Sequence, residues 1–492
     1  MDTKIKWTHD SQILQKWIEE NSQHVTPVKT TYHKDVFEKI KECTHKWKEN
    51  TPIFENIEKC FVQKGREQYY CSKPTQIFVL EKIYESQKDL WNSLIMDVDI
   101  DSSTIINKIQ TITDDSSSEN FHWFHNNLSD VFSKLQNNIH LIHFSNPITE
   151  WSCNLWKSYP FMYDFFVPLN VQHSFEKQIQ CTQYHSWNWE DIKFTLQIMI
   201  PHMNIQSCIL NNLTYRITMM TQIGEHFCKT MYFKWYPSSK KKQLGYNEHS
   251  PCTCHVWNPY QVNTGATYQN TCNQITIWRS EEACKTFLHE MIHGFKWDPD
   301  NPRNIKEWIT NHFAVHPDNT IVFFESYVET WATLLNIYMI INYCDIEDEL
   351  LIEKYITMEQ KYIMFQVAKI LYNSGFETWN SFFIDGHHPG SILFQQNTGV
   401  FSYFIIRSGN MWDLEWFTTN FSQIEYTKNE IEESEWLEHL LTIFRSDSYK
   451  ETINYFIELI KKNTTGDFKT DETLFTMNTM RMTCIDMFSE QQ

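Results

Sequence analysis

Between Gln274 and Pro299 the chain reads as one strand running into one helix that carries His289-Glu290-Met291-Ile292-His293, and no other segment constrains the fold as much. Gln274-Ile275-Thr276-Ile277-Trp278 places β-branched and aromatic residues at strand spacing. Ser280 stands where a helix N-cap belongs, and Glu281 and Glu282 follow in the first turn, where the positive end of the helix dipole favours them. Cys284, Phe287, Leu288, Met291, Ile292 and Phe295 supply enough apolar surface for burial, and Gly294 with Asp298-Pro299 marks the end. On such a helix His289 and His293 share one face. Two imidazoles side by side can bind one Zn²⁺, and the glutamate between them can act on a water held there. With 21 His in 492 residues a chance HExxH is not negligible, so its surroundings must decide.

Downstream, Ile321 to Cys344 reads as a strongly apolar helix whose only charges are Glu325 and Glu329, four apart and so on one face. A carboxylate is rarely buried unless it is paired or bound to a metal. The HExxH helix lacks one acidic ligand, and the oily helix has acids that need a cation. Glu325 is therefore assigned as the third zinc ligand, with Glu329 accepting the free ring N–H of a ligand histidine. The reverse order, with Glu329 on the metal, stays open, as does a helix with both glutamates at its solvent edge. Two acids in one half of the window disfavour a membrane span.

These two motifs together, over roughly residues 262–340, resemble the gluzincin peptidases, which include the thermolysin-like and neprilysin-like enzymes and the zinc aminopeptidases. The resemblance implies a zinc-dependent peptidase with one Zn²⁺ per chain and a peptide or protein substrate. It also implies that Val262-Asn263-Thr264-Gly265-Ala266-Thr267 is the sheet-edge strand that binds substrate backbone, with Asn263, Gly265 and Ala266 in contact with it. A Gly there permits close approach of another chain. The chain is also similar to uncharacterised metallopeptidase-like proteins of large cytoplasmic DNA viruses, in which an N-x-G-x-T stretch precedes an I-x-I-x-R-x-E-E run and then the HExxH helix; Ile275, Ile277, Arg279, Glu281 and Glu282 fit that run.

Departures are clear. The interval from His293 to Glu325 is longer than in thermolysin-like enzymes, which implies an insertion at about 299–319. The metzincin pattern is excluded, because Lys296 and Pro299 stand where it requires Gly and His. Asp298 or Asp300 as the acidic ligand stays open; His312 and His316 read as solvated.

In the implied reaction Glu290 is the general base that takes a proton from water and delivers it to the leaving amine. The oxyanion needs a further donor. Tyr403 is the candidate, with His387 and His388 behind it, against the plainer reading of a core aromatic in an apolar run. A non-catalytic structural or interaction protein that keeps the fold is the alternative. An intact Glu290, and the lack of an obvious fourth protein ligand, favour catalysis.

A net charge of −19 argues against general nucleic-acid binding. Lys240-Lys241-Lys242 reads as a solvated loop. The 13 Cys show no repeated spacing, Cys252-Thr253-Cys254-His255 being the tightest group, which suggests free thiols in a reducing compartment. The polar N-terminus lacks an apolar signal core. A soluble protein of the cytoplasm is expected, of the host cytoplasm or virion if viral, with no membrane partner and an open oligomeric state.

The expected fold class is α+β, mostly helical, with a small twisted, largely antiparallel sheet packed on the HExxH helix. Residues 1–113 read as a helical N-terminal region, with amphipathic stretches at Val36–Lys48 and Gln76–Trp91, and 114–119 as a linker. Residues 120–280 read as mixed α/β with the substrate-edge strand, 281–462 as the helical zinc-binding subdomain, and 463–492 as a weakly patterned tail. Strands are expected at Tyr215–Thr221, Phe227–Tyr236, 262–269 and 275–279, and helices at 321–344, 346–374 and 432–462. The cleft should lie between the β-containing half and the C-terminal helices.

Overall fold

The computed structural model describes residues 5–27, 30–50, 181–200, 207–244, 256–267, 275–346, 348–426, 432–465 and 470–487, with shorter pieces at 55–59, 62–64, 67–69, 91–92, 95, 101–111, 131, 167–168, 171–172 and 174. The 114–119 linker, most of the 76–91 stretch and the Cys252-Cys254-His255 group lie outside these residues.

Six strands make the main sheet: β1 (Glu55–Lys59), β2 (Cys181–Trp189), β3 (Ile192–Ile200), β4 (Thr230–Trp235), β5 (Gly265–Thr267) and β6 (Ile275–Ile277), in the order β1-β2-β3-β4-β6-β5. The fold is α+β, but the sheet is mixed rather than largely antiparallel. β1 with β2, β2 with β3 and β5 with β6 run antiparallel, whereas β3 with β4 and β4 with β6 run parallel. Parallel neighbours need a crossover, and here helix α3 (Ser207–Ile223) lies between β3 and β4 in the chain. The expected strand Tyr215–Thr221 is part of this helix. Leu213, Tyr215, Ile217, Met219 and Met220 are buried, but so are Thr214, Arg216 and Thr218 between them, so a helix buried all round reads in the sequence as the polar–apolar alternation of a strand.

The HExxH segment forms α4 (Ala283–Phe295), which packs on β5 and β6 and, from the other side, on α5 (Glu325–Tyr343). Its start differs from the expected one. Ser280 is not the cap; Glu282 is, in a left-handed conformation with φ 57°. Glu281 and Glu282 are buried, and Glu282 accepts from Thr483 N (2.6 Å) and Lys242 Nζ (2.7 Å). Of Lys240–Lys242, expected as a solvated loop, only Lys240 is exposed: Lys242 is buried against Glu282, and Lys241 pairs with Asp10. A buried lysine holds its charge only where a carboxylate awaits it, and that partner comes from elsewhere in the chain.

Around this centre stand α1 (His9–Asn21), α2 (Lys34–Glu49), α6 (Glu349–Asn373), α7 (Arg407–Trp412), α8 (Glu433–Arg445), α9 (Asp447–Thr465) and α10 (Asp471–Asn478). The single helix expected over 432–462 is two, because Ser446 takes an extended backbone with ψ 139°. The expected weakly patterned tail holds α10 and then a buried run through Met480, Met482, Cys484, Ile485 and Met487, with Met487 bridged to Trp7. One apolar cluster extends from Ile5 to Met487, so the two ends of the described chain close the same core.

Cys228 is disulfide-bonded, contrary to the expectation of free thiols throughout, whereas Cys43, Cys284, Cys344 and Cys484 are free. Pairing depends on which loops meet in space, which spacing alone does not encode. Among the described residues no helix is long and apolar enough to cross a membrane.

Candidate metal centre and cleft

Three donor atoms converge from α4 and α5. His289 Nε2 and His293 Nε2 are 3.2 Å apart, and each is 3.3 Å from Glu325 Oε2. A tetrahedral Zn²⁺ with bonds of ~2.0–2.1 Å places its donors ~3.3 Å from one another, so this near-equilateral triangle fits such an ion. The donor set, two imidazole nitrogens and one carboxylate oxygen, suits it too. Among the described residues this is the group of His, Cys, Asp and Glu side chains able to hold a metal ion. The local cause is simple. The i, i+4 spacing stacks the two rings on α4, and the first turn of α5 faces them with Glu325.

The far side of each ring meets a carboxylate. Glu329 Oε1 lies 2.8 Å from His289 Nδ1, at an oblique angle, and Asp298 Oδ2 lies 3.0 Å from His293 Nδ1. A carboxylate there favours the Nδ1–H tautomer and leaves the Nε2 lone pair for the triangle. Burial disfavours the charged rings, but Glu329 and Glu325 outweigh it at His289, and Glu325 and Asp298 at His293, so both imidazoles bind a proton more readily than usual. Glu325 is held at about 2 because His293 and His289 overcome its burial.

Glu329 is the most heavily supported acid. It pairs with Lys285, one helical turn before His289, and lies 3.5 Å from Arg407 Nη1 on α7. Burial opposes its charge, yet Lys285, His289 and Arg407 hold it well below the usual carboxylate range. Arg407 is fixed in turn by Met482 O (2.8 Å) and Thr333 Oγ1 (2.7 Å).

Glu290 is buried between α4 and β5, and Thr267 Oγ1 lies 2.7 Å from its Oε2. Burial pushes its carboxyl up, against the pull of His289 and His293. Tyr403 sits on a π-helical turn (Phe401–Ile406) that leads into α7, with its ring centroid 6.2 Å from that of His289. Such turns recur at functional sites. Burial, with Glu325, Glu290 and Glu329 nearby, raises the Tyr403 hydroxyl well above its ordinary value, so it stays a proton donor.

These residues line a cleft of about 640 Å³, a usual size for a ligand site. Asn263, Gly265, Ala266 and Thr267 form one wall at the sheet edge, and Gln396 to Gly399 with Tyr403 face them. The Asn263 side chain accepts from Thr398 Oγ1 (2.9 Å), tying the walls together. The other candidates do not join the cluster. His387 and His388 are exposed and do not line the cleft, His312 pairs with Asp385, and His316 lies 3.8 Å from Asp318. Asp298 stands behind His293 rather than on the triangle.

Lys285 and Arg407 are not singled out by the sequence, which offers Asp298 only as a helix end or an alternative acidic ligand and Thr267 only as part of the substrate-edge strand. Lys285 carried a signal, being a cation on the buried face of α4 four residues before His289. Asp298 carried a weaker one, five residues after His293 and just past the left-handed Lys296 that turns the chain back. Arg407 and Thr267 are far in sequence from the groups they hold. Should the triangle hold Zn²⁺, Asp298→Ala is expected to weaken its binding about 10- to 100-fold by releasing the His293 ring, which a competitive chelator titration measures; unchanged affinity would show the Asp298 contact to be incidental.

Comparison with models of protein families, with curated proteins and with solved structures gives no match to this chain.

Proposed function

We propose that this chain is a zinc-dependent peptidase with a gluzincin-like centre, His289, His293 and Glu325 holding one Zn²⁺ and Glu290 acting as general base. The observation that carries the reading is the donor triangle, with sides of 3.2–3.3 Å, opening onto a cleft walled by a sheet edge. The ion, when bound, supplies Lewis-acid activation of a water and of the scissile carbonyl. The chain's own groups do the rest. β5, the outermost strand of the sheet among the described residues, offers backbone N–H and C=O groups to an extended peptide. Glu290, with its carboxyl raised by burial, accepts the water's proton and passes it to the leaving amine. Tyr403, kept protonated, donates to the oxygen that becomes negative in the tetrahedral intermediate. Glu329 and Asp298 keep the two rings in register.

A catalytic role is favoured over a purely structural zinc because the triangle is the whole protein donor set among the described residues, whereas structural sites close with a fourth. The test is metal content by elemental analysis, for the wild type and Glu325→Ala, followed by a peptide-library screen. One zinc per chain, lost or much weakened in Glu325→Ala, is expected. No zinc after reconstitution of the wild type would overturn the reading. Full zinc in Glu325→Ala would move the third ligand elsewhere.

A further inference from the structure

In the N-x-G-x-T stretch at 263–267, which walls the cleft, two alternate residues both meet Glu290. On a strand, residues two apart point to the same side. On β5 those are Gly265 and Thr267, and the side they share faces α4. Thr267 Oγ1 lies 2.7 Å from Glu290 Oε2 and 3.0 Å from the Glu290 main-chain oxygen. Gly265 does the complementary thing by having no side chain. A Cβ there would stand 2.8 Å from Glu290 Oε1, 2.6 Å from Ile277 Cδ1 and 2.9 Å from Thr286 Cγ2, and heavy atoms do not sit that close. One carboxylate oxygen is thus gripped by a hydroxyl, and the other has room only because residue 265 is Gly.

We infer that Gly265 and Thr267 form a carboxylate cradle, and that Thr267 is a positioning residue that holds the Glu290 side chain in its working orientation through the Thr267 hydroxyl. The catalytic meaning rests on the peptidase reading; the cradle itself does not. A hydroxyl has one proton to give, and Glu290 presents two acceptors to it, the carboxylate and the main-chain oxygen. The ionised carboxylate is the stronger acceptor, so the proton goes there while Glu290 is charged. Oε1, which the hydroxyl does not hold, keeps its full accepting capacity. The same three-residue strand would hold the substrate backbone, so β5 sets substrate and base in one frame. A base displaced by about 1 Å loses ~10²-fold in rate.

The test uses the full-length, zinc-loaded protein and the variants Thr267→Val, Thr267→Ser and Gly265→Ala. Thr267→Val keeps the shape and removes the hydroxyl. It is expected to lower kcat about 10- to 100-fold, with KM and zinc content unchanged, while Thr267→Ser stays within about threefold of the wild type. In crystal structures of Thr267→Val and Gly265→Ala the Glu290 carboxylate should leave its place against β5. This second readout does not require that the protein cleave peptides. A Glu290 carboxylate unmoved in both variants would overturn the cradle, and so would a Thr267→Val enzyme with full kcat beside an inactive Glu290→Gln. A serine variant as impaired as the valine one would also overturn it, since the methyl rather than the hydroxyl would then be what matters. A wild-type protein that cleaves no peptide, with Glu290 displaced in the variants, would leave the cradle standing and remove the peptidase reading.

Discussion

On the proposed peptidase reading, replacing Glu290 with Gln is expected to lower kcat/KM toward a peptide substrate about 10³-fold while zinc at the triangle is retained. The amide is the same size as the carboxylate, and Thr267 can still donate to its oxygen, so the pocket need not rearrange. What disappears is the basic oxygen. The donors at His289 Nε2, His293 Nε2 and Glu325 Oε2 are untouched, and metal content should therefore stay at the wild-type level. Initial rates on a peptide found by library screening, with elemental analysis of the same samples, check both halves. An active Glu290→Gln would mean that the proton goes elsewhere. An inactive variant that has also lost its zinc would mean that Glu290 shapes the centre.

Arg481→Met is expected to cost on the order of 3–5 kcal/mol of folding stability, the range for removing one side of a buried ion pair. Arg481 is fully buried, with Nη1 3.4 Å from Asp10 Oδ2 and Nη2 3.2 Å from Asp486 Oδ2. Burial alone would weaken its hold on the proton, but Asp486, Glu282, Glu281 and Asp10 together raise it above the ordinary arginine value. The variant leaves those acids facing one another with one cation fewer. Burial already raises the carboxyls of Glu281 and Asp486. Groups with raised folded values favour the folded state at low pH, and that support is lost as the pH climbs through those values. Removing Arg481 raises them further, so the deficit of the variant should widen with increasing pH and narrow on acidification. Urea unfolding at several pH values measures this. A loss below about 1 kcal/mol, or one independent of pH, would show that water reaches the cluster and screens it.

The same cluster shows why part of the molecule was not legible in the sequence. Arg481 and Asp486 lie in a segment with no helical or strand period, and their meaning comes from Asp10 and Glu282, hundreds of residues away. Glu281 and Glu282 look like helix-dipole residues until Lys242 and Thr483 are seen beside Glu282. Tyr215–Thr221 looked like a strand because a helix buried all round, with Arg216 and Thr218 among its apolar residues, reads as a strand's polar–apolar alternation. That helix is also why the sheet is mixed: it carries the chain across, so that β4 returns parallel to β3.

The sequence by itself determined the local chemistry. The i, i+4 spacing of His289 and His293 set two rings on one face, and two carboxylates in an oily helix announced that a cation had to meet them. Period and composition suffice for such features, because they depend on neighbours within one or two turns. Only the tertiary structure decided that Glu325 faces the rings while Glu329 lies behind one of them, between Lys285 and Arg407. It alone brought Asp298 to His293 and Thr267 to Glu290. The choice between two glutamates one turn apart is a difference of a few ångströms in how α5 lies against α4, and that is set by the packing of the whole core.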